Sequence, residues 1–133
     1  MKEIVTFEDW ENTVIEPYIM LLITRKTCQD CVNVEEYLES NNYLINQIPV
    51  RKISLDNSDS ENLINNLEWI KKEVDVIPFW VLMNYEKRLS TVRGGIKEAR
   101  DLTTFSRVNL FQEDFILSSY NIPAMQVRFY LMI

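Results

Sequence analysis

The sequence predicts one α/β domain, and three observations carry that reading. A continuous apolar stretch, Ile19-Met20-Leu21-Leu22-Ile23, leads through a short polar loop into Cys28-Gln29-Asp30-Cys31, and an amphipathic stretch from Val32 to Leu38 follows at once. Along the rest of the chain, strand-like and helix-like spacings alternate, the pattern of an α/β domain. At 133 residues the chain has the length of a single domain with one core.

The first helix is expected over Thr6–Ile15. Thr6 is suited to cap it, and Glu8, Asp9 and Glu11 favour the positive end of the helix dipole. Phe7, Trp10 and Val14 recur at three- and four-residue spacing and make one apolar face, and Pro17 ends the segment. Tyr18 to Thr24 reads as a strand buried on both faces. Arg25, Lys26 and Thr27 form the loop into the cysteine pair. The helix from about Cys28 to Ser40 then buries Val32, Val34, Tyr37 and Leu38, and Asn41-Asn42 stops it because asparagine tolerates the left-handed conformation.

Val50 to Leu55 is the next strand by its alternation. Asp56-Asn57-Ser58-Asp59-Ser60 is a loop rich in capping residues, followed by a helix from about Glu61 to Glu73 with Leu63, Ile64, Leu67, Trp69 and Ile70 at its apolar positions. Val76 to Met83 reads as a strand interrupted by Pro78. Asn84-Tyr85-Glu86-Lys87 turns a hairpin into Arg88–Val92, and Gly94-Gly95 closes it. Ile96 to Phe111 fits a last helix that buries Leu102, Phe105, Val108 and Leu110. Gln126 to Ile133 has the alternation of a strand, and such an apolar segment needs cover.

The net charge is −6, which argues against a nucleic-acid binder, since such a protein needs a basic stripe to neutralise phosphates. Histidine is absent, which removes every mechanism that uses an imidazole base or ligand. No apolar h-region follows the N-terminal Met1-Lys2-Glu3, and no apolar run is long enough to span a bilayer, so a cytoplasmic location without membrane contact is expected. In a reducing compartment, two cysteines point to catalysis or metal rather than to a structural staple. Zinc usually needs four ligands, and beyond Cys28 and Cys31 the chain has no cysteine or histidine to offer. A zinc or iron–sulfur site shared between two chains, or two buried small hydrophobes, are the other readings of the pair.

The placement of Cys28 favours thiol chemistry. A helix N-terminus presents free N–H groups and a positive dipole end, both of which stabilise a thiolate, the species that attacks disulfides. Arg25 and Lys26 favour the thiolate as well, while Asp30 is a like charge that opposes it. The expected balance is a modest preference for the thiolate.

In order along the chain, the strand running into Cys28–Cys31, the segment Val50-Arg51-Lys52-Ile53-Ser54-Leu55-Asp56, the segment Val76-Ile77-Pro78-Phe79-Trp80, and the hairpin leading to Gly94-Gly95 and a helix resemble the thioredoxin family. The resemblance covers roughly residues 4 to 111. It implies a thioredoxin-like fold with a mixed central sheet flanked by helices, as a domain of residues 1–111 with residues 112–133 as an extension packed on it. It also implies Cys28 as the exposed nucleophile, Cys31 as the buried resolving thiol, and a cis Pro78 facing them. Ile77, Pro78 and Thr27 would shape the substrate site, and Arg25, Lys26, Asp30 and Lys52 would tune the thiols. Implied partners are a disulfide-containing protein substrate and a thioredoxin-reductase-like electron donor, with no bound cofactor.

The departures from the family pattern lie at the site itself. Thr27 stands where the family has tryptophan, Asp30 where it has proline, and Leu22 where it has a buried aspartate that helps deprotonate the second cysteine. Lys52 matches the family's nearby lysine. The absence of a histidine between the cysteines, the choice of strongly oxidising relatives, favours the reducing direction. The leading expectation is reduction of protein disulfides. The rivals are a thioredoxin-fold binding module with little turnover and a glutathione-coupled, glutaredoxin-like enzyme.

Overall fold

Six consecutive apolar or β-branched residues form the central strand β1 (Ile19–Thr24), and every one of them is buried. The structure, a computed structural model, describes residues 1–104. Successive side chains of a strand point to opposite faces, so β1 feeds two cores at once. Ile19, Leu21 and Ile23 pack with Ile4, Val14, Leu63, Leu67 and Ile70 on one face. Met20 and Leu22 pack with Val34, Leu38, Trp80 and Ala99 on the other.

The elements are α1 (Phe7–Val14), β1, α2 (Gln29–Ser40), β2 (Leu44–Ile45), β3 (Ile48–Ser54), a 3₁₀ turn at Ser58–Ser60, α3 (Glu61–Asn66), α4 (Glu68–Glu73), β4 (Phe79–Asn84) and β5 (Lys87–Arg93). A last helix, α5, is described over residues 96–104. The five-stranded sheet has the order β2-β3-β1-β4-β5. β1 runs parallel to β3 and antiparallel to β4, so the sheet is mixed. The core contacts put α1, α3 and α4 on one face and α2 and α5 on the other.

Thr6 caps α1 through a reciprocal box. Its hydroxyl accepts from the Asp9 amide at 3.1 Å, and the Asp9 carboxylate accepts from the Thr6 amide at 3.1 Å and the Val5 amide at 3.0 Å. These amides hold the Asp9 carboxyl below its ordinary value of 3.8. A carboxylate with a depressed pKa stabilises the fold above its unfolded pKa and loses that contribution as pH falls through its folded value. The stability difference between the wild type and Asp9→Ala should therefore be constant above about pH 5 and narrow as acid protonates Asp9, in urea melts at stepped pH. Thr6→Ala should cost about 1 kcal/mol at neutral pH in the same melts.

Several elements differ from the sequence reading. Phe7 is 44% exposed, and Thr13 joins Val14 on the buried side of α1, its hydroxyl satisfied by the Asp9 carbonyl at 2.8 Å. The expected helix over 61–73 is two helices broken at Leu67, whose backbone leaves the helical region (φ −96°, ψ 80°). Asparagine competes with helical hydrogen bonding, and Asn66 Nδ2 bonds the Asn62 carbonyl at 2.7 Å just before the break. The break still lets Leu63, Leu67 and Ile70 all reach the core. The strand expected from Val76 begins only at Phe79, after a cis Ile77–Pro78 peptide.

Two pairings had no signal in the spacing. β2 lies antiparallel on β3, and residues 2–4 bond the backbone of Lys52 through Ile4 N–H (2.8 Å) and Lys2 C=O (3.1 Å). Gly94 has φ +131°, a backbone favouring glycine, and closes β5 by donating its N–H to the Pro78 carbonyl at 3.0 Å. The expected helix positions Phe105–Phe111, the strand at Gln126–Ile133 and the extension 112–133 lie outside the described residues. No helix among the described residues is long and apolar enough to cross a membrane.

Candidate active site

The site is built where β1 hands over to α2. Cys28 is the N-cap of α2, with extended backbone (φ −101°, ψ 117°), and its sulfur accepts from the Cys31 amide at 3.2 Å. Sulfur here does what a serine oxygen does at an N-cap: it satisfies one of the free amides of the first turn. Cys28 is half-buried and Cys31 is buried, and both are free thiols. One helical turn therefore presents one sulfur outward and holds the other inward.

Burial pushes the Cys31 thiol above its ordinary 9.0, and its hydrogen bond to Cys28 pushes the same way. The Thr24 hydroxyl and the Arg25 amide oppose that rise, and the charge of Cys28 adds to it. The two sulfurs therefore differ: burial favours the protonated form of Cys31, and the half-buried Cys28 sulfur accepts from the Cys31 amide at the helix start.

The loop before Cys28 is pinned from β3. The Asp56 carboxylate accepts from the Lys26 amide at 2.9 Å, and the Leu55 amide donates to the Thr24 carbonyl at 2.9 Å. Arg25, Lys26 and Thr27 are exposed, as is Asp30 in the first turn of α2. Lys52 is turned to another partner: its ammonium meets Glu35, one turn beyond Cys31 on α2, at 2.6 Å, with both side chains about a quarter exposed.

The antiparallel register pairs Ile23 with Phe79, which brings Pro78 alongside the end of β1 where the chain enters the cysteine loop. Pro78 is buried and Ile77 half-buried, while Val76 beside them is 54% exposed. Arg93 flanks this edge, bonding Asp75 at 2.5 Å and lying over the Phe79 ring at 5.4 Å. Asp56, Thr24 and the Arg93–Asp75 pair escaped the sequence reading. The parity of β1 is the signal that would have pointed Thr24 toward α2. Among the described residues, no group of three His, Cys, Asp or Glu side chains could hold a metal ion.

No protein-family model and no curated protein matches the sequence. Solved structures do match. A thioredoxin from Fasciola hepatica, 20% identical, aligns over 80% of this chain and 98% of its own length with a TM-score of 0.60. Thioredoxin from Trypanosoma brucei brucei, 18% identical, aligns over 77% of this chain and 89% of its own with a TM-score of 0.56. Thioredoxin f from spinach chloroplast, 15% identical, aligns over 80% and 90% with a TM-score of 0.56. The chain has the thioredoxin fold. Within that thioredoxin frame, Leu22 lies fully buried on the face of β1 that packs on α2, so the position the resemblance gives to an acid is apolar here.

Proposed function

We propose that the protein is a thiol-disulfide oxidoreductase that reduces protein disulfides through Cys28 and Cys31. One observation carries the reading: a half-buried sulfur that accepts from the Cys31 amide at the α2 N-terminus, with a buried thiol one turn behind it. The Cys28 thiolate attacks one sulfur of a substrate disulfide. That S–S bond breaks, the Cys28–substrate mixed disulfide forms, and the released substrate sulfur takes up a proton. Cys31 then loses its proton and attacks the Cys28 sulfur. The Cys28–Cys31 disulfide forms, and the second substrate sulfur leaves and is protonated. Two electrons pass from the protein dithiol to the substrate, and a dithiol donor of the thioredoxin-reductase kind restores the reduced pair.

In this reading Ile77, Pro78 and Thr27 form the substrate site. The charged residues assigned to the thiols are Arg25, Lys26 and Asp30, exposed in the segment that carries Cys28, and Lys52, which pairs with Glu35. The cytoplasm is the compartment in which such a reductase works, and residues 112–133 are read as an extension of the same domain. A redox titration in defined thiol buffers, read by alkylation mass shift, tests the proposal. A reversible two-electron transition near −270 mV, about thioredoxin's potential, is the expected result. Failure to form a reversible Cys28–Cys31 disulfide anywhere in the accessible range would sink it.

Leu22 and Thr27 favour one rival, a thioredoxin-fold binding module with little turnover. That rival predicts stable partner complexes that survive Cys28→Ser combined with Cys31→Ser. The glutaredoxin-like alternative predicts turnover that depends on glutathione.

A further inference from the structure

Resolution of the mixed disulfide requires Cys31, with no exposed surface, to lose its proton, and the β1 position expected to carry an acid for that task is Leu22. We propose that Thr24 fills the role as a positioning residue, its hydroxyl stabilising the Cys31 sulfur as a thiolate during resolution; the inference rests on the disulfide-exchange reading above.

The strand geometry places Thr24 for this. Met20, Leu22 and Thr24 alternate onto the face of β1 that packs on α2, where Cys31, Val34 and Leu38 are the buried residues. Thr24 is 1% exposed, and its hydroxyl has no hydrogen-bond partner in the dithiol state. A buried hydroxyl left without a partner costs about 1–3 kcal/mol in general, which makes it an unusual thing for a core to keep. Three other buried hydroxyls are satisfied: Thr13 donates to the Asp9 carbonyl at 2.8 Å, Ser54, the register neighbour of Thr24, donates to Glu3 at 2.7 Å, and Thr103 donates to the Arg100 carbonyl at 3.0 Å; the buried Ser60 hydroxyl, in the 3₁₀ turn, shares with Thr24 the lack of a partner.

The chemistry of sulfur explains the difference between the two states. A protonated thiol is a weak acceptor, so the Thr24 hydroxyl closes no hydrogen bond with it. A thiolate is a charged acceptor and draws a much stronger bond. The Thr24 hydroxyl and the Arg25 amide already bias Cys31 toward the thiolate, against burial and the neighbouring sulfur. An interaction that strengthens only when the charge forms speeds the step that forms it. In that step the Cys31 proton leaves for solvent or for the departing substrate sulfur, while Thr24 keeps its own proton and donates a hydrogen bond.

Among the described residues, these charged groups lie on the elements around Cys31. Cys28 faces it from the N-cap of α2. Asp30 on α2 and Arg25 and Lys26 in the loop are exposed, Asp56 beyond β3 is bound to the Lys26 amide, and Glu35 of α2 is paired with Lys52 of β3.

Two readouts on the full chain test the role. With Cys28→Ser as background, the ultraviolet absorbance of the Cys31 thiolate is titrated with Thr24, with Thr24→Val and with Thr24→Ser. Valine should move the titration to higher pH and serine should return it. With both cysteines present, stopped-flow reaction with an aromatic disulfide releases coloured thiolate in two phases, the first from attack by Cys28 and the second from attack by Cys31. Thr24→Val should slow the second phase about tenfold and leave the first unchanged, with Thr24→Ser close to wild type. An unmoved titration with Thr24→Val, or a loss in Thr24→Ser equal to that in Thr24→Val, would overturn the inference, the latter by showing a packing role. A wild type without the second phase would instead overturn the disulfide-exchange reading, and the titration would still decide the part played by Thr24.

Discussion

Cys28→Ser is expected to abolish disulfide reduction, with a rate loss of about a thousandfold or more, down to the uncatalysed background. A serine hydroxyl is not ionised near neutral pH and cannot form the S–S bond through which exchange proceeds. The substitution is otherwise mild. Serine is a preferred N-cap, so its oxygen replaces the sulfur as acceptor for the Cys31 amide, and α2 keeps its start. Loss of activity with an unchanged melting curve would therefore locate the nucleophile at Cys28. Cys31→Ser should behave differently. The first attack survives, the buried resolving sulfur is gone, and the mixed disulfide with substrate accumulates at Cys28. Gel-shift and mass analysis of the adduct would read this out. A Cys28→Ser protein that keeps the wild-type rate, or an adduct carried by Cys31, would contradict the assignment of roles.

Trp80→Ala is expected to be the most destabilising single change in the described core, by about 3–5 kcal/mol in urea unfolding. Trp80 is fully buried, and the sheet register sets it between Leu22 of β1 and Val92 of β5. Truncation leaves a cavity in the core cluster that Trp80 shares with Met20, Leu22, Val34, Leu38 and Leu82, the packing between the sheet and α2. It also orphans the Gly94 carbonyl, which accepts from the indole N–H at 2.8 Å. Trp80→Phe separates the two effects, since it keeps most of the volume and loses the donor; about 1 kcal/mol is expected from the hydrogen bond alone, with a further contribution from the smaller ring. Domains of this size are commonly stable by only about 5–15 kcal/mol, so the alanine variant removes a large share of the total. A loss below about 1 kcal/mol for Trp80→Ala would mean that the core on the α2 face can close over the gap.

Much of the fold was legible in the sequence where the signal is short in range. The run Ile19–Ile23 could only be a strand buried on both sides, Thr6 and Asp9 mark a helix start by their spacing, and Cys28 lies at a strand-to-helix junction whichever way the sheet is arranged. Other features carried no such signal. β2 is two residues long, too short for any periodicity, and exists because β3 offers it an edge. The break at Leu67 trades one long helix for two short ones: Asn66 competes locally with the helical bonding, and Leu63, Leu67 and Ile70 still all reach the core. Phe7 satisfies the helical spacing of α1 yet faces solvent, while Thr13 takes a buried place because its hydroxyl can bond back to the Asp9 carbonyl. Lys52 sits at its expected strand position, and its ion pair with Glu35 depends on where α2 crosses β3.

By itself, the sequence determined the order of the longer strands and helices, though not β2 or the break at Leu67, and the seating of Cys28 at a helix N-terminus, because periodicity, capping and turn preferences act between residues a few positions apart. The tertiary structure decided which strands are neighbours, that Pro78 reaches the end of β1, and that the Thr24 hydroxyl is buried without a hydrogen-bond partner. Those outcomes depend on side chains brought together from distant stretches by the packing of two helical layers on one sheet. Burial then sets the chemistry, because taking the Cys31 thiol out of water raises its pKa above the ordinary 9.0, and the Thr24 hydroxyl and the Arg25 amide only partly oppose that rise.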